Sequence, residues 1–402
     1  MKQLVVTLAM LAGLQLGLHA QTYSTLYTFD DGTDGNTISG KLILDTNGNL
    51  YGESSGGGST NCTPRCGTVF ELTPNNGVWT KTILYNFLGG TNDGAYPFGG
   101  LAFDTAGNIY GTTTAGGLTK SRWNLCEDGC GTIFELSPGQ NGWTETILYK
   151  FHDQNDGSMP ITALTPDGAG NFYGVTTYGG KSDYCDPYGC GTVFKLSPNG
   201  HTWKFQVIYD LGSMRTKNIS GPLTIDPSGN IYGTAGDEAF KLYTVNGHWF
   251  HTILHTFSYK YRQPVGGLIL DSSGNLYGAT RDGYSTGNYG AVYKLSHATG
   301  GWRMTVLYTF QNPEDYLSDG VVMDANGNLY GTSEGGGTNN FGMVYELTRS
   351  GSTWVYSEPY DFTSTEGYPL WNLLLDNSGN LYGGTDGLND AGEFGTIYEL
   401  QP

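Results

Sequence analysis

The chain has 402 residues, of which 38% are hydrophobic and 64 are glycine. Its 19 basic and 37 acidic residues give a formal net charge of −18, which argues against a nucleic-acid partner or an anionic membrane surface, since both require basic patches. The even spread of hydrophobic residues excludes a disordered chain, and abundant glycine with 13% aromatic residues is typical of short strands joined by tight turns.

The first twenty residues have the pattern of a secretory signal peptide. Lys2 supplies a positive charge, residues 3–18 are mostly apolar, and Leu18-His19-Ala20 offers a small-residue cleavage site. No second apolar stretch is long enough to span a bilayer, and no anchor segment is recognised near the last residue. We therefore expect residues 1–20 to be removed and residues 21–402 to form one domain, secreted to the extracellular space or the periplasm.

After the signal comes a lone strand pattern, residues 23–29, rich in aromatic and β-branched residues. A motif of the form Asp-x-x-Gly-Asn-(Leu/Ile/Phe)-Tyr-Gly then occurs seven times. Its copies begin at Asp45, Asp104, Asp167, Asp226, Asp271, Asp324 and Asp376. In the first unit, residues 41–44 predict strand a, residues 49–52 open strand b, residues 67–72 predict strand c, and residues 79–87 predict strand d.

Four strands in each unit of 45 to 63 residues predict a β-propeller with seven four-stranded antiparallel blades. The seventh unit has strands a, b and c but ends with the chain. The lone strand near the N-terminus supplies the missing strand d. We therefore expect residues 23–29 to pair with residues 395–400, because this pairing closes the ring and removes two unpaired edges.

The repeated Asp-x-x-Gly-Asn segment has two readings. The Asp carboxylate can accept hydrogen bonds from N–H groups of the turn, while Gly supplies a positive φ, which describes a structural hairpin turn. The same residues resemble the opening of a calcium loop, but the distal bidentate Glu is not found at the required spacing. Sevenfold recurrence favours the structural reading, and we predict no metal site and no cofactor.

The six cysteines form three local pairs, Cys62/Cys66, Cys126/Cys130 and Cys185/Cys190. An even number in an exported chain favours disulfides over zinc, because two Cys without a nearby His are too few ligands. Each bridge would close a loop of five or six residues and stabilise by about 2 kcal/mol or less. We expect the bridges to stiffen loops more than they hold the fold.

In a propeller the b–c loops and d–a connections share one face, the loop face, and the a–b and c–d turns share the opposite turn face. The b–c loops are long and individual, and exposed aromatics beside acids on rigid loops suit stacking on sugar rings. The other reading is that these aromatics cap the blades. The candidate binding residues are Trp123, Tyr178, Tyr184, Tyr188, Asp237, Tyr284 and Tyr289.

The fourth unit differs, because its b–c loop is only Ala235-Gly236-Asp237 and leaves a notch in the loop face. The neighbours Asp237 and Glu238 form a carboxylate pair of the kind used in glycoside hydrolysis, although adjacent residues of a strand point apart. His251 and His255 lie about 13 Å apart at strand rise, too far to bind one metal. No phosphate loop, nucleophile elbow or metalloprotease motif is found, so no catalytic residue is assigned.

The repeated Leu-x-x-Asp-x-x-Gly-Asn-(Leu/Ile)-Tyr-Gly-Thr-Thr-x-x-Gly-Gly … Gly-Thr-(Val/Ile)-Phe-Glu-Leu pattern is carried well by residues 101–136. It resembles the bacterial GloVer tandem-repeat family, the choice-of-anchor group, over nearly all of the mature chain. The resemblance implies an exported repeat protein, often associated with the cell surface through variable C-terminal anchors. The family brings no established activity.

Two functional hypotheses follow. The first is a secreted, monomeric binding module for carbohydrate, a cell-surface polymer or a cell-surface protein. The alternative is an extracellular glycosidase or polysaccharide lyase that uses acids of the loop face, which would place two or more acids and a base within about 6–10 Å in one pocket. A third, structural reading is a spacer in an extracellular matrix.

Overall fold

The computed structural model describes residues 21–30, 34–36, 38–62, 65–118, 126–152, 155–181, 185, 188–213, 219, 221–258, 261–282, 289–312, 314–387 and 394–402. The predicted signal peptide, residues 1–20, lies outside the described residues. No helix in the described ranges is long and apolar enough to cross a membrane.

The described residues form an all-β structure. In chain order the strands are β1 (Thr22–Thr28), β2 (Ser39–Leu44), β3 (Leu50–Ser54), β4 (Thr68–Asn75), β5 (Val78–Asn86), β6 (Gly94–Pro97), β7 (Ala102–Phe103), β8 (Ile109–Gly116), β9 (Thr132–Gly139), β10 (Gly142–Lys150), β11 (Thr165–Pro166), β12 (Phe172–Val175), β13 (Thr192–Asn199), β14 (Thr202–Asp210), β15 (Thr224–Ile225), β16 (Ile231–Ala235), β17 (Glu238–Val245), β18 (His248–Thr256), β19 (Arg262–Leu270), β20 (Leu276–Asp282), β21 (Tyr289–Ala298), β22 (Gly301–Phe310), β23 (Val322–Met323), β24 (Leu329–Ser333), β25 (Met343–Ser350), β26 (Thr353–Asp361), β27 (Tyr368–Leu375), β28 (Leu381–Asp386) and β29 (Thr396–Gln401). Short 3₁₀ helices lie at Gly90–Asn92 and Leu211–Ser213.

These strands form seven antiparallel sheets, which confirms the predicted seven-bladed propeller. Blade 1 is β2–β5, blade 2 is β6–β10, blade 3 is β11–β14, blade 4 is β15–β18, blade 5 is β19–β22 and blade 6 is β23–β26. Blade 7 has the order β27-β28-β29-β1, so its outermost strand comes from the N-terminal end. Its pairing runs from Thr22 opposite Gln401 to Thr28 opposite Thr396.

The hydrophobic core is divided among the interfaces between blades. Leu50 and Tyr51 follow each other in β3, so their side chains leave opposite faces of the sheet. Leu50 packs in a cluster with blade 7, and Tyr51 packs in a cluster with blade 2. Each of the seven clusters in the described ranges joins two neighbouring blades, including blade 7 to blade 1. The ring is therefore closed by side-chain packing as well as by strand pairing.

The second Gly of the repeated motif is required by close packing inside each blade. A Cβ atom on Gly111 would lie 2.5 Å from Cζ of Phe134, the aromatic residue of the adjacent strand c. The same contact occurs in the other six copies, where the facing ring is Phe70, Phe194, Phe240, Tyr293, Tyr345 or Tyr398. The motif thus makes room for an aromatic ring that then contacts the neighbouring blade.

The three predicted disulfides, Cys62–Cys66, Cys126–Cys130 and Cys185–Cys190, are formed. Three disulfides are typical of an extracellular or periplasmic protein. Cys66, Cys126 and Cys190 are almost fully buried and belong to the clusters between blades 1 and 2, 2 and 3, and 3 and 4. The bridges therefore contribute to packing between blades.

Candidate functional site

The repeated Asp turns lie on the turn face, and each carboxylate is saturated with donors. Oδ1 of Asp104 accepts hydrogen bonds from the backbone N–H groups of Ala106 (2.8 Å) and Asn108 (2.9 Å). Its Oδ2 accepts from Nδ2 of Asn108 (2.8 Å) and from the hydroxyl of Tyr110 (3.1 Å). These donors occupy the oxygen lone pairs that a cation would need. The arrangement is that of a hairpin turn stabilised by its own residues.

A second repeated contact positions the d–a connections of the loop face. In blade 1 the hydroxyl of Tyr85 donates to Oδ2 of Asp93 (3.0 Å), which also accepts from the N–H of Leu88 (2.7 Å). The same Tyr-to-acid contact joins Tyr149 to Asp156 (2.7 Å) and Tyr360 to Glu366. In each of these three blades a residue of strand d therefore anchors the connection that follows it.

The predicted binding residues that the structure describes are spread over three blades. Tyr178 and Tyr188 of blade 3 lie together, with ring centroids 6.1 Å apart, and Tyr188 is 40% exposed. Asp237 of blade 4 forms an ion pair with Arg262, whose Nη2 lies 3.0 Å from its Oδ2. Tyr289 of blade 5 packs against the cluster between blades 5 and 6. Trp123, Tyr184 and Tyr284 lie outside the described residues.

The neighbours of Asp237 in the fourth unit take part in contacts within and between blades. Burial raises the pKa of Glu238, and the nearby His251 opposes this shift. The His251 ring lies 5.0 Å from the ring of Tyr209 in blade 3. Among the described residues, no group of three or more His, Cys, Asp or Glu is placed to hold a metal ion.

The loop face also carries a pocket between blades 6 and 7, called here the loop-face pocket. Its volume is about 430 Å³. It is lined by Glu314, Tyr316, Glu334, Gly335, Asn340, Tyr368, Leu370 and Asp386. Tyr316 and Tyr368 are each 37% exposed, and Tyr368 is supported by Phe341 at a centroid distance of 5.4 Å. The pocket therefore combines two accessible aromatic rings with three carboxylates.

The ends of three neighbouring b strands place the charges at this pocket. The residue four positions after the motif Tyr is Arg281 in blade 5, Glu334 in blade 6 and Asp386 in blade 7. In blades 1 to 4 the same position holds Ser55, Thr114, Thr177 and Gly236. Because the blades are related by rotation about the ring axis, equivalent positions of adjacent blades lie side by side. One sector of the ring is therefore charged where the rest is neutral.

Electrostatic interactions connect these three residues. Nη2 of Arg281 lies 3.2 Å from Oε2 of Glu334, so a guanidinium bridges blades 5 and 6. Burial raises the pKa of Glu334, Arg281 opposes this shift, and the charge of Asp386 adds to it. Burial also raises the pKa of Asp386, against the hydrogen bond from the N–H of Gly387. The charge of Asp386 is thus close enough to affect the protonation of Glu334.

The d–a connection of blade 6 completes the pocket wall. The N–H of Glu334 donates to the carbonyl of Tyr316 (2.8 Å), and Leu317 forms an isolated antiparallel β-bridge with Ser333. A Cβ on Gly335 would lie 2.4 Å from the carbonyl oxygen of Glu314, so only Gly allows this close approach. The aromatic ring of Tyr316 is therefore held beside the acids by backbone contacts, which suits binding without a large entropy cost.

Sequence reasoning predicted the face on which this pocket lies but missed its residues. The signal was present in the repeat itself, because Arg281, Glu334 and Asp386 occupy one offset from the motif Tyr in successive copies. Tyr316 and Tyr368 carried no such signal. Tyr316 precedes the a strand of blade 6 and Tyr368 begins the a strand of blade 7, and only the ring geometry brings them to the same pocket.

Among solved structures, the extracellular domain assigned to a hybrid two-component system from B. thetaiotaomicron is similar to this chain, with 12% identity and a TM-score of 0.57. The match covers 94% of this chain and 39% of that chain. A nidogen/laminin complex matches with 18% identity and a TM-score of 0.40, covering 70% of this chain and 86% of that one. A protein of unknown function from Dyadobacter fermentans matches with 12% identity and a TM-score of 0.45, covering 95% and 99%.

No curated protein sequence matches this chain. The sequence profile described as Gloeobacter/Verrucomicrobia repeat matches residues 14–185 and residues 236–402. The interval between these matches contains the a and b strands of blade 4, β15 and β16, where the b–c loop is shortest.

Proposed function

Because the chain belongs to the Gloeobacter/Verrucomicrobia repeat family and carries a shaped pocket on one face of its ring, we propose that it is an exported binding module for carbohydrate. The ligand is a sugar unit of a cell-surface or extracellular polymer. The three disulfides support export to an oxidising compartment. The observation that carries the proposal is the combination of Tyr316 and Tyr368 with acceptor carboxylates in the loop-face pocket.

The chemistry of the pocket fits a polyhydroxylated ligand. The faces of sugar rings are apolar and stack on aromatic side chains, while sugar hydroxyls donate to carboxylates and accept from a guanidinium. Glu334 and Asp386 supply acceptors, and Asn340 supplies both a donor and an acceptor. A volume of about 430 Å³ matches one or two sugar units rather than a long chain segment.

A glycan array and a panel of crude polysaccharides, read with the purified mature protein, test this proposal. For a glycan that binds, Tyr316→Ala and Tyr368→Ala should each weaken the affinity about tenfold, as expected for the loss of one stacked ring. Tyr188→Ala is the matched control, because it removes an exposed ring from the same face at blade 3. If only Tyr188→Ala weakens binding, the site lies at blade 3. Silence on every glycan and polysaccharide would contradict the carbohydrate proposal.

A second function, glycoside hydrolysis or polysaccharide cleavage, is favoured by one observation. Glu334 and Asp386 line the same pocket; burial raises the pKa of Glu334, Arg281 opposes this shift, and the charge of Asp386 adds to it. A carboxyl with a raised pKa beside a second carboxylate is the arrangement expected of a general acid paired with a carboxylate. Cleavage would appear as reducing ends or unsaturated uronates released from polysaccharide. Glu334→Gln and Asp386→Asn should each abolish this release while glycan binding persists. Binding without release by the wild-type protein would leave the module as a binder alone.

A further inference from the structure

The turn face carries a second cavity, opposite the loop-face pocket and separate from it, called here the turn-face cavity. It has a volume of about 630 Å³ and lies where the inner strands of blades 5, 6 and 7 converge. Its lining includes Lys41, Tyr277, Met323, Arg349, Trp354 and Leu374. Lys41 reaches it from blade 1, so the cavity lies at the mouth of the ring centre.

Lys41 is an exception within the repeat. It stands four residues before the motif Asp, within β2, the inner strand of blade 1. The equivalent residues of the other blades are Gly100, Ala163, Pro222, Gly267, Gly320 and Asn372. Small or neutral residues are expected here, because the inner strands approach closely: a Cβ on Gly40 would lie 2.4 Å from the backbone nitrogen of Gly100. A long cationic side chain at this position needs a reason other than ring packing.

The positive charge of the Lys41 ammonium group has no close partner among the described residues. In the described ranges it makes no hydrogen bond or ion pair, although a charged group in such surroundings costs free energy unless it is paired. Burial lowers the pKa of Lys41, and the charge of Asp319 partly opposes this shift. Asp319 is itself 3% exposed, with one oxygen bonded to the N–H of Gly320 (2.6 Å) and the other unpartnered. Lys41 keeps partial exposure because it lines the cavity.

Two further features of the cavity indicate an anion. Arg349 at its exposed rim uses Nε to donate to the carbonyl of Gly351 (3.3 Å), and its terminal nitrogens contact no acceptor among the described residues. The rim carboxylate of Asp324 is occupied by its own turn donors, the N–H groups of Asn326 (2.9 Å) and Asn328 (2.8 Å), so it does not pair with Lys41. Two cationic groups therefore line the cavity, although the whole chain carries a net charge of −18.

We propose that the turn-face cavity binds a small organic monocarboxylate, of the class of a hexuronate sugar acid, whose carboxylate contacts Lys41 and Arg349. Trp354 and Tyr277 provide aromatic walls for the ring, and Ser272 and Asn326 provide polar groups for its hydroxyls. The negative charges of Asp271 and Asp324 at the rim favour a single carboxylate over a dianion such as phosphate. This site is independent of the loop-face pocket.

Isothermal titration with D-glucuronate tests the proposal, with D-glucose as the neutral match. Glucuronate should bind at least about tenfold more tightly than glucose, since a charge-assisted hydrogen bond is lost with the carboxylate. Lys41→Met should remove this preference, Lys41→Arg should retain most of it, and Lys204→Met, which changes an exposed lysine of β14, should leave it unchanged. Equal affinity for the two sugars, or wild-type affinity in Lys41→Met, overturns the proposal.

Two further measurements separate binding from stability. If Lys41 merely neutralises Asp319, the double variant Lys41→Met/Asp319→Asn should be as stable as the wild type, because both charges are removed together. Wild-type glucuronate affinity in this double variant would overturn the proposal. In wild-type protein labelled with 5-fluorotryptophan, glucuronate should shift the Trp354 resonance, identified with Trp354→Phe. A shift confined to other tryptophans would place the ligand elsewhere and also overturn the proposal.

Discussion

The closure of the ring can be tested through one buried residue, Phe29. This side chain follows β1, is 2% exposed and packs edge-on against Phe70 of blade 1 at a centroid distance of 5.7 Å. The Nζ atom of Lys81 lies 4.2 Å from the Phe29 ring centroid, and Lys81 also pairs with Asp34 at 3.3 Å. Phe29 thus connects the N-terminal strand of blade 7 to blade 1 at the closing interface.

Replacing Phe29 with Ala should lower the free energy of unfolding by about 4–5 kcal/mol. Truncation of a buried Phe costs about 3–5 kcal/mol, from lost transfer free energy and the cavity that remains. Loss of the cation–π contact with Lys81 adds about 0.5–1 kcal/mol. The urea m-value should be about 4 kcal/mol/M, above the range of small proteins, because m grows with the surface exposed on unfolding. The urea concentration at the midpoint of unfolding should therefore fall by about 1 M.

The assay is urea unfolding monitored by circular dichroism, with Phe151→Ala as the matched control. Phe151 occupies the same position at the interface between blades 2 and 3, is fully buried and contacts Phe194 at 5.5 Å. If the ring is closed in solution, the two substitutions should have similar effects. A cost below about 1 kcal/mol for Phe29→Ala beside a full cost for Phe151→Ala would show that the closing strand does not hold the ring, and would refute the reasoning.

Three further predictions concern the repeat and its buried charges. Asp104→Ala removes a side chain that accepts four hydrogen bonds and should lower the free energy of unfolding in urea by about 2 kcal/mol. The control Asp128→Ala changes an exposed residue and should lower it by less than about 0.5 kcal/mol. Equal effects of the two substitutions would contradict the role of the turn. Gly111→Ala should cost about 1–3 kcal/mol through contact with Phe134, and Phe134→Leu in the same chain should recover part of this loss; strictly additive costs would exclude a clash as the cause. Burial raises the pKa of Glu53 from 4.5 to about 8, so its ionised form opposes folding and the free energy of unfolding should rise as the pH falls from 8 to 4.5. Glu53→Gln should flatten this part of the pH profile, and an unchanged profile would assign the effect to other groups.

The pH dependence of stability has the opposite sign for the carboxylates of the repeated turns. Burial would raise the pKa of Asp104, but hydrogen bonds from Asn108 and Ala106 bring it below its ordinary value. A lowered pKa stabilises the folded protein above about pH 4 and this contribution is lost as the pH falls further. Acid unfolding should therefore begin only after the buried Glu53 has become neutral, so stability should be greatest at mildly acidic pH.

Much of the fold was predictable because the motif is repeated. Asp104, Gly107 and Asn108 specify a turn through local hydrogen bonds and a positive φ, and neither depends on the rest of the chain. Seven such turns with matching strands fix the number of blades, and the incomplete seventh unit predicts its partner. The second Gly of the motif could not be explained from sequence, because its role depends on a ring from the adjacent strand.

For the candidate site, the sequence predicted only the face of the propeller on which it lies. Long loops with aromatics indicated the loop face, but the pocket itself uses Tyr316 and Tyr368, which come from the connection before blade 6 and the first strand of blade 7. Their proximity depends on how neighbouring blades are rotated about the axis, which a strand pattern does not encode. Arg281, Glu334 and Asp386 could have been found by comparing equivalent offsets in the repeat.

The sequence by itself determined the blade count, the turn chemistry, the cysteine pairing and the strand that completes the last blade, because each depends on neighbouring residues or on a repeated spacing. Only the tertiary structure decided which charges meet, since Lys41 approaches a cavity of blades 5 to 7 from the opposite end of the chain. Local hydrogen bonds are specified by short segments of sequence. Contacts across the ring depend instead on the geometry with which seven sheets form a closed ring.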